Sequence, residues 1–158
     1  MPRYFANRFF SLTLFSLAII TAASSQVRAQ ESSAVPVKTI PALDVPRYLG
    51  TWYEIASFPA WFQKDCTGTT ATYSLNTDAT VKVLNRCFKK TLSGSEDGAE
   101  GSAFIEDTST NAKLKVTFFW PFYGKYWIIE LAEDYSYAVV GHPNRNYLWI
   151  LSRTPKMS

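Results

Sequence analysis

The chain has 158 residues, of which 16% are aromatic and 18% are charged, a size and composition that suit one folded domain and argue against a disordered chain. The formal net charge is +3, but Arg3, Arg8 and Arg28 lie in a leader without acidic residues, so 13 basic residues balance 13 acidic ones in the rest. No basic surface is therefore predicted, which argues against a nucleic-acid-binding protein.

Residues 1–29 have the pattern of a secretory signal peptide. Arg3 and Arg8 form a basic start, and an apolar run follows over residues 9–22. Val27 and Ala29 are small residues at the two positions that a signal peptidase reads. A membrane anchor is the alternative, but this run of about 14 residues is shorter than the roughly 20 that a spanning helix needs. We therefore expect an exported protein that is periplasmic or secreted.

Residues 30–40 are small and polar, which predicts a flexible lead-in to a folded domain over residues 41–158. The first cysteine of the chain is Cys66, so the leader has no cysteine that could carry an acyl anchor. We expect a protein without a lipid anchor, whose contact with an outer membrane is at most peripheral.

The first strand is predicted over residues 50–57. Asp44 and Pro46 favour a short capped turn just before it, since aspartate is a good helix cap and proline suits a first helical turn. Gly50 then allows the chain to change direction sharply without a Cβ clash. Trp52 follows within the strand, where its large ring needs a surface to cover.

Residues 69–75 and 80–88 are predicted to form a hairpin around a polar turn. The register of this hairpin brings Cys66 and Cys87, the two cysteines of the chain, nearly opposite one another. In an exported chain such a pair is expected to form a disulfide bond. The alternative is a free thiol that acts as a nucleophile in the interior.

Turn residues separate further strands, as an antiparallel meander requires. The clearest alternation of polar and apolar residues begins at Lys113. Because no segment of useful length has helical periodicity, the predicted fold class is all-β. The remaining strands are predicted to begin near residue 100 and to cover residues 113–118, 126–131, 135–140 and 147–153.

The alternation also predicts which side chains face the interior, because charged groups cannot stay unpaired there. The predicted interior is mostly apolar with a few hydrogen-bonding tips, and an apolar or amphipathic molecule could bind against it. A filled core without a pocket is the alternative that this pattern leaves open. The predicted ligand contacts on the strands are Ala71, Tyr73, Val83, Asn85, Ala103, Val116, Phe118, Trp127, Ile129, Trp149 and Leu151.

Two aromatic segments, residues 58–62 and 120–124, are predicted to be loops. In a meander both connections lie at the same end of the sheet, where they would frame an apolar entrance. Tyr123 could offer its hydroxyl to a polar head group while its ring stays against lipid. For the first segment the alternative is that Trp61 and Phe62 plug the side of the fold.

The residues do not form a recognisable catalytic set, and we expect no enzyme activity, cofactor or metal. His142 is the only histidine, and it falls in a predicted turn. Glu54 is the one candidate acid on an inward position, and we interpret it as paired with a nearby base or hydroxyl.

Three short motifs resemble the signatures of the lipocalin family, which belongs to the calycin superfamily. Gly50 and Trp52 match the first signature, Asp134 and Tyr135 the second, and Arg153 the third. The wider sequence around these motifs is similar to the bacterial outer-membrane branch of the family and to its relative apolipoprotein D.

This resemblance implies a closed, eight-stranded, antiparallel up-and-down barrel in which Arg153 lies across Trp52 and closes the narrow end. It implies a cavity that binds a fatty acid or lysophospholipid and a role in storing or moving envelope lipids. A partner-binding or structural barrel with a filled core is the alternative, and a lipocalin-type enzyme is the less favoured one. Lipocalins normally continue into a helix packed on the barrel, whereas only residues 155–158 remain here. We therefore expect this helix to be missing and the bare wall to permit a homodimer.

Overall fold

In the computed structural model, which describes residues 35–157, eight antiparallel strands close into a barrel. Each strand pairs with the next in the chain, and the first also pairs with the last. This confirms the predicted all-β, up-and-down architecture. The strands are β1 (Gly50–Ser57), β2 (Cys66–Leu75), β3 (Val81–Lys89), β4 (Glu96–Ile105), β5 (Lys113–Phe119), β6 (Phe122–Leu131), β7 (Tyr137–Gly141) and β8 (Leu148–Ser152).

The predicted signal peptide over residues 1–29 and the first part of the predicted lead-in lie outside the described residues. Residues 35–40 have no regular secondary structure, but they contact the barrel. The backbone N–H of Ile40 donates to the carbonyl of Ile128 at 3.0 Å, and the guanidinium of Arg145 donates to the carbonyl of Val35. Within residues 35–157 no helix has the length and apolar character needed to cross a membrane.

A short helix, α1 (Val45–Tyr48), leads into β1. Asp44 caps it by accepting a backbone N–H at 3.2 Å, and Pro46 lies in its first turn, as the sequence predicted. Gly50 then has a φ of +94°, a region in which a side chain would be strained. A Cβ at this position would also lie 3.3 Å from Nη1 of Arg153, so the tight entry into β1 requires glycine.

The barrel is closed at the end where β1 begins by an arginine stacked on a tryptophan. Trp52 is completely buried, and Cζ of Arg153 lies 3.8 Å from the centroid of its ring. The guanidinium donates to the carbonyls of Thr51 at 3.1 Å and Arg47 at 2.7 Å. The indole N–H of Trp52 donates to the carbonyl of Tyr48 at 2.8 Å. These contacts form the floor that the first and third signatures predicted.

The second signature lies at the same end of the barrel. The hydroxyl of Tyr135 accepts the backbone N–H of Asp44 at 3.0 Å, and the guanidinium of Arg47 lies 4.0 Å from the centroid of its ring. Asp134 accepts the backbone N–H of Ser136 at 2.9 Å and so holds the turn between β6 and β7. All three signatures therefore stabilise the closed end, far from the open one.

The predicted disulfide bond joins Cys66 at the start of β2 to Cys87 near the end of β3, with their Cα atoms 5.4 Å apart. Cys66 pairs across the ladder with Lys89, two residues beyond Cys87. The register changes between Thr67 and Thr70, and this bulge moves Cys66 one residue closer to its partner. The alternative of a free nucleophilic thiol is therefore wrong.

The second aromatic segment is only partly a loop. Residues 120–124 were predicted to connect two strands, but β6 already begins at Phe122. Gly124 was expected to end the strand, but it pairs with Val116 of β5. A Cβ added at Gly124 would lie 3.9 Å from the side chain of Val116. A glycine is therefore accommodated inside a regular strand, and the connection between β5 and β6 shortens to a tight turn.

Removal of the disulfide bond should lower stability. We expect the double variant Cys66→Ser/Cys87→Ser to lose about 3 kcal/mol of unfolding free energy, because a bond across 21 residues restricts the unfolded chain. Urea unfolding followed by circular dichroism measures the loss. The wild-type protein under reducing conditions is the control and should match the variant. A variant as stable as the oxidised protein would show that the bond contributes nothing.

Candidate ligand cavity

The barrel contains a cavity of about 800 Å³ that opens at the end opposite the arginine–tryptophan floor. The β1–β2, β3–β4, β5–β6 and β7–β8 connections surround this opening, because β1 starts at the floor and each strand reverses direction. Cavities of roughly 300–1,000 Å³ hold molecules of drug or lipid size. The interior is therefore not a filled core.

Most of the predicted ligand contacts do line this cavity. Ten of the twelve side chains named from the sequence border it, and their contact with a ligand stays a prediction. They are Ala71, Tyr73, Val83, Asn85, Ala103, Val116, Phe118, Tyr123, Trp149 and Leu151.

The predicted positions on β6 are wrong by one residue. Trp127 pairs with Lys113 on β5, and paired residues share a face of the sheet. The ammonium of Lys113 lies 5.1 Å from the centroid of the Trp127 ring on the outer face, whereas Tyr126 borders the cavity. Ile129 lies at a bulge in the β6–β7 ladder and does not line the cavity either. Because β6 is apolar on both faces, alternation carried no information there.

Three tyrosine hydroxyls meet just above the floor. The hydroxyl oxygen of Tyr126 lies 2.8 Å from that of Tyr48 and 2.8 Å from that of Tyr73. All three side chains border the cavity, and the ring of Tyr48 lies on the floor, 4.8 Å from that of Trp52. We call Tyr48, Tyr73 and Tyr126 the tyrosine cluster. Sequence reasoning found only Tyr73, although an inward register for β6 would have found Tyr126 as well.

Burial keeps these hydroxyls protonated. Loss of solvation is the main cause, and it raises the pKa of Tyr73 from its ordinary value of 10.0 to about 12. The same cause, together with the neighbouring hydroxyls, holds the pKa values of Tyr48 and Tyr126 well above their ordinary range. The tyrosine cluster is therefore a neutral, hydrogen-bonding floor at physiological pH.

Two polar groups face the cavity above the tyrosine cluster. Oδ1 of Asn85 is buried and accepts no hydrogen bond from any residue that the structure describes. It is therefore an acceptor that a bound molecule could use. Glu54, near the opening, accepts hydrogen bonds from Oγ of Ser57 at 2.7 Å and Nε2 of Gln63 at 2.6 Å. Gln63 in turn accepts the indole N–H of Trp149 at 3.0 Å. The predicted pairing of Glu54 is thus made with a hydroxyl and an amide.

The other side chains considered as candidates for catalysis have structural contacts. His142 lies in the turn between β7 and β8, as predicted, and its Nδ1 accepts the backbone N–H of Asn144 at 3.1 Å. Cys66 and Cys87 are joined to each other. Residues 35–157 contain no group of three side chains placed to hold a metal ion.

Exposed aromatic side chains lie on two of the four connections at the opening, β1–β2 and β5–β6. We call them the aromatic rim: Trp61, Phe119, Trp120 and Phe122. They are 82%, 74%, 77% and 70% exposed, which is unusual for such large apolar groups. The rings of Phe119 and Phe122 stack with their planes 9° apart. Residues 58–62 therefore combine both predicted roles. Trp61 is exposed at the opening, whereas its neighbour Phe62 packs on Trp149, with the ring centroids 6.5 Å apart.

Tyr123 lies at the edge of the cavity. Its ring lies 6.0 Å from that of Phe104, which alternation places on the outer face of β4. The ammonium of Lys115 lies 5.0 Å from the centroid of the same ring. The side chain thus packs along the outside of the β5–β6 hairpin, and a contact of its hydroxyl with a head group stays a prediction.

Comparisons with known proteins agree with this geometry. The family model for the lipocalin-like domain matches residues 43–158. Temperature-induced lipocalin-1 of Arabidopsis thaliana is 45% identical over 130 residues, which cover 77% of this chain and 68% of that protein. Outer membrane lipoprotein Blc of Escherichia coli (strain K12) is 46% identical over 122 residues, with the same two coverages. Apolipoprotein D of Bos taurus is 38% identical over 122 residues, which cover 71% of this chain and 61% of that protein.

Solved structures share the barrel. Insecticyanin from the tobacco hornworm Manduca sexta superposes with a TM-score of 0.61 at 25% identity, covering 77% of this chain and 69% of that one. The cockroach allergen Per a 4 superposes with a TM-score of 0.60 at 18% identity, covering 77% of this chain and 75% of that one. The second similarity concerns the fold alone.

The tyrosine cluster should make the protein sensitive to alkali. The unfolded chain releases tyrosine protons near pH 10, whereas the folded chain holds them to higher pH. The folded state therefore binds more protons above pH 10, and stability should be complete below that pH and fall as the pH rises to about 12. Urea unfolding as a function of pH measures this slope.

Between neutral pH and about pH 11, the unfolding free energy of the variant Tyr73→Phe should fall by about 1 kcal/mol less than that of the wild type. Absorbance titration of tyrosinate in the folded protein, with the urea-unfolded chain as the control, should show delayed ionisation. Equal slopes for the wild type and the variant would show that the Tyr73 hydroxyl is not shielded from water.

Proposed function

The chain belongs to the lipocalin family, and we propose that it binds a fatty acid or lysophospholipid in its barrel and stores or carries this lipid for maintenance of the cell envelope. The cavity of about 800 Å³ supports this proposal most directly. Its walls are mainly apolar, and Val81, Val83, Leu114 and Leu151 are nearly inaccessible to solvent. Binding of small hydrophobic ligands is the broader property to which the family similarity also points.

The size of the hydrophobic effect makes the proposal quantitative. Burial of an acyl chain contributes about 0.8 kcal/mol per methylene group, so a dozen methylenes contribute roughly 10 kcal/mol. Part of this is offset by the cost of association and by the ordering of the chain. Affinity in the micromolar range is therefore expected.

The distribution of charge supports a ligand that enters tail first. Four charged residues border the cavity: Glu54, Arg86, Asp97 and Lys125. Asp97 is paired with the ammonium of Lys89 at 2.8 Å, Arg86 with Glu96 at 3.4 Å, and Lys125 with Glu106 at 2.7 Å. Glu54, Arg86 and Asp97 lie toward the opening. Deeper in the barrel the polar groups without a charged partner are uncharged, namely Asn85 and the tyrosine cluster. A charged head group is therefore better placed at the opening than at the floor.

We also propose that the protein acts by binding and not by catalysis. Glu54 is held by two hydrogen bonds, the cysteines are bonded to each other, and His142 stabilises a turn. These contacts favour structural roles for the side chains that could otherwise take part in catalysis.

Contact with a membrane is the second part of the proposal. We propose that the chain is exported and that its aromatic rim meets the surface of the outer membrane, with the cavity opening toward the lipid. Aromatic side chains are favourable at the boundary between head groups and acyl chains. The relatives named outer membrane lipoprotein support an envelope location.

Ligand binding can be tested with tryptophans inside and outside the cavity. Addition of a fatty acid should change the fluorescence of the wild-type protein saturably, with a dissociation constant in the micromolar range. Trp149→Phe should reduce this change, since Trp149 borders the cavity. Trp127→Phe is the matched control and should keep most of it, because this side chain faces outward. Absence of a saturable change, together with no lipid in solvent extracts of the purified protein, would contradict lipid binding.

Membrane contact can be tested at the aromatic rim. Trp120→Ser should weaken co-sedimentation with phospholipid vesicles by on the order of tenfold, because an exposed indole loses its contact with lipid. Leu75→Ser is the control, since Leu75 is also exposed, at 57%, but lies at the closed end. Equal binding of both variants and the wild type would rule out docking through the rim.

A further inference from the structure

The tyrosine cluster has one more hydrogen than it can use. Three hydroxyl groups carry three hydrogens, and they make two contacts with one another, both of 2.8 Å and both through Tyr126. Each contact uses one hydrogen, whichever oxygen donates. No other group among residues 35–157 accepts a hydrogen bond from these hydroxyls. One O–H donor is therefore left over at the floor of the cavity.

This donor lies at the bottom of the cavity, which all three tyrosines border, and Tyr126 is itself half-buried. Trp52 lies beneath Tyr48 and is completely buried, and Tyr48 and Tyr73 are only 5% and 7% exposed. A hydrogen-bonding group that is buried without a partner is costly. A lipid whose deep end is a plain hydrocarbon would cover the donor and leave it unpaired. A lipid with an oxygen at that end would satisfy it.

The chemistry of the site favours a neutral oxygen over an anion. The hydroxyls are themselves uncharged, and the guanidinium of Arg153 lies at the floor on the ring of Trp52, where its own hydrogen bonds go to backbone carbonyls. A carboxylate buried against one neutral donor would lose far more solvation than it gained. A ketone, ester or hydroxyl oxygen carries no such cost.

We infer that the floor of the cavity is a polar subsite that selects amphipathic ligands with a neutral hydrogen-bond acceptor at the end that enters first. This inference rests on the proposed lipid binding and adds the class of molecule that fits best. It assigns to Tyr48, Tyr73 and Tyr126 a shared role as donor to the ligand. A saturated fatty acid still binds, but it does so without this hydrogen bond.

The first test uses the wild-type protein and two probes: stearic acid and its analogue with a ketone at the penultimate carbon of the tail. The ketone carbonyl carries an isotope label so that its infrared stretch can be read in the complex. We expect this stretch at a lower frequency than in an alkane solvent, as a hydrogen-bonded carbonyl requires. A frequency equal to that in alkane would overturn the inference.

The second test removes the donor. The triple variant Tyr48→Phe/Tyr73→Phe/Tyr126→Phe keeps the shape of the floor, and replacing a whole hydrogen-bonded set by isosteric apolar groups is often tolerated. The affinity of the ketone relative to stearic acid should fall about threefold to tenfold from wild type to variant. The control Tyr53→Phe/Tyr137→Phe changes two tyrosines that do not border the cavity and should keep the wild-type ratio.

The outcomes separate this inference from the proposed function. If stearic acid binds and the ketone shows no hydrogen bond, or shows one that persists in the triple variant, the inference fails while lipid binding stands. If neither probe binds the wild-type protein, lipid binding itself fails. If the triple variant does not fold, the infrared measurement on the wild type still decides.

Discussion

The contact between Arg153 and Trp52 is the interaction on which the rest of this structure depends. The guanidinium lies on the indole ring and donates to one carbonyl in α1 and one in β1, while its own backbone follows directly after β8. Arg153 therefore fastens the end of β8 to residues that lie 102 and 106 positions earlier in the chain. Because β1 and β8 are the two strands whose pairing closes the barrel, this contact lies beside the seam. Closure there keeps water out of one end and leaves the other end free for a ligand.

The cavity then shows a gradient of polarity along its axis. At the floor three neutral hydroxyls form a small hydrogen-bonded group, and in the middle the walls are aliphatic apart from Asn85. Near the opening Glu54 and Asp97 carry charge, and beyond them the aromatic rim is exposed. An amphipathic molecule would meet a favourable partner for each of its parts. The physical reason is that the eight strands direct alternate side chains inward while their connections alternate between the two ends.

The quality of the sequence prediction followed the strength of the local pattern. On β5, where lysines alternate with apolar residues, the inward positions of Leu114 and Val116 were predicted correctly. On β6 both faces are apolar, and the prediction placed Trp127 inside instead of Tyr126. The start of β6 was also misplaced, because Pro121 and Gly124 indicated a loop while cross-strand pairing with β5 extends the strand to Phe122. Local sequence patterns do not predict which side chains face the cavity where pairing with a neighbouring strand determines it.

The sequence by itself determined the fold class, the closed end and the disulfide bond. The fold class came from alternation and turn residues, and the disulfide bond from two cysteines that one hairpin brings together. The closed end followed from the resemblance to the lipocalin signatures, because Trp52 and Arg153 lie far apart in the chain. Only the tertiary structure decided that the barrel is hollow and that three tyrosines meet at its floor. Tyr126 is 78 residues from Tyr48 and 53 from Tyr73, so no spacing rule connects them. Their contact exists because closure of the barrel brings α1, β2 and β6 together at the floor. An empty volume inside the barrel likewise depends on all eight strands together.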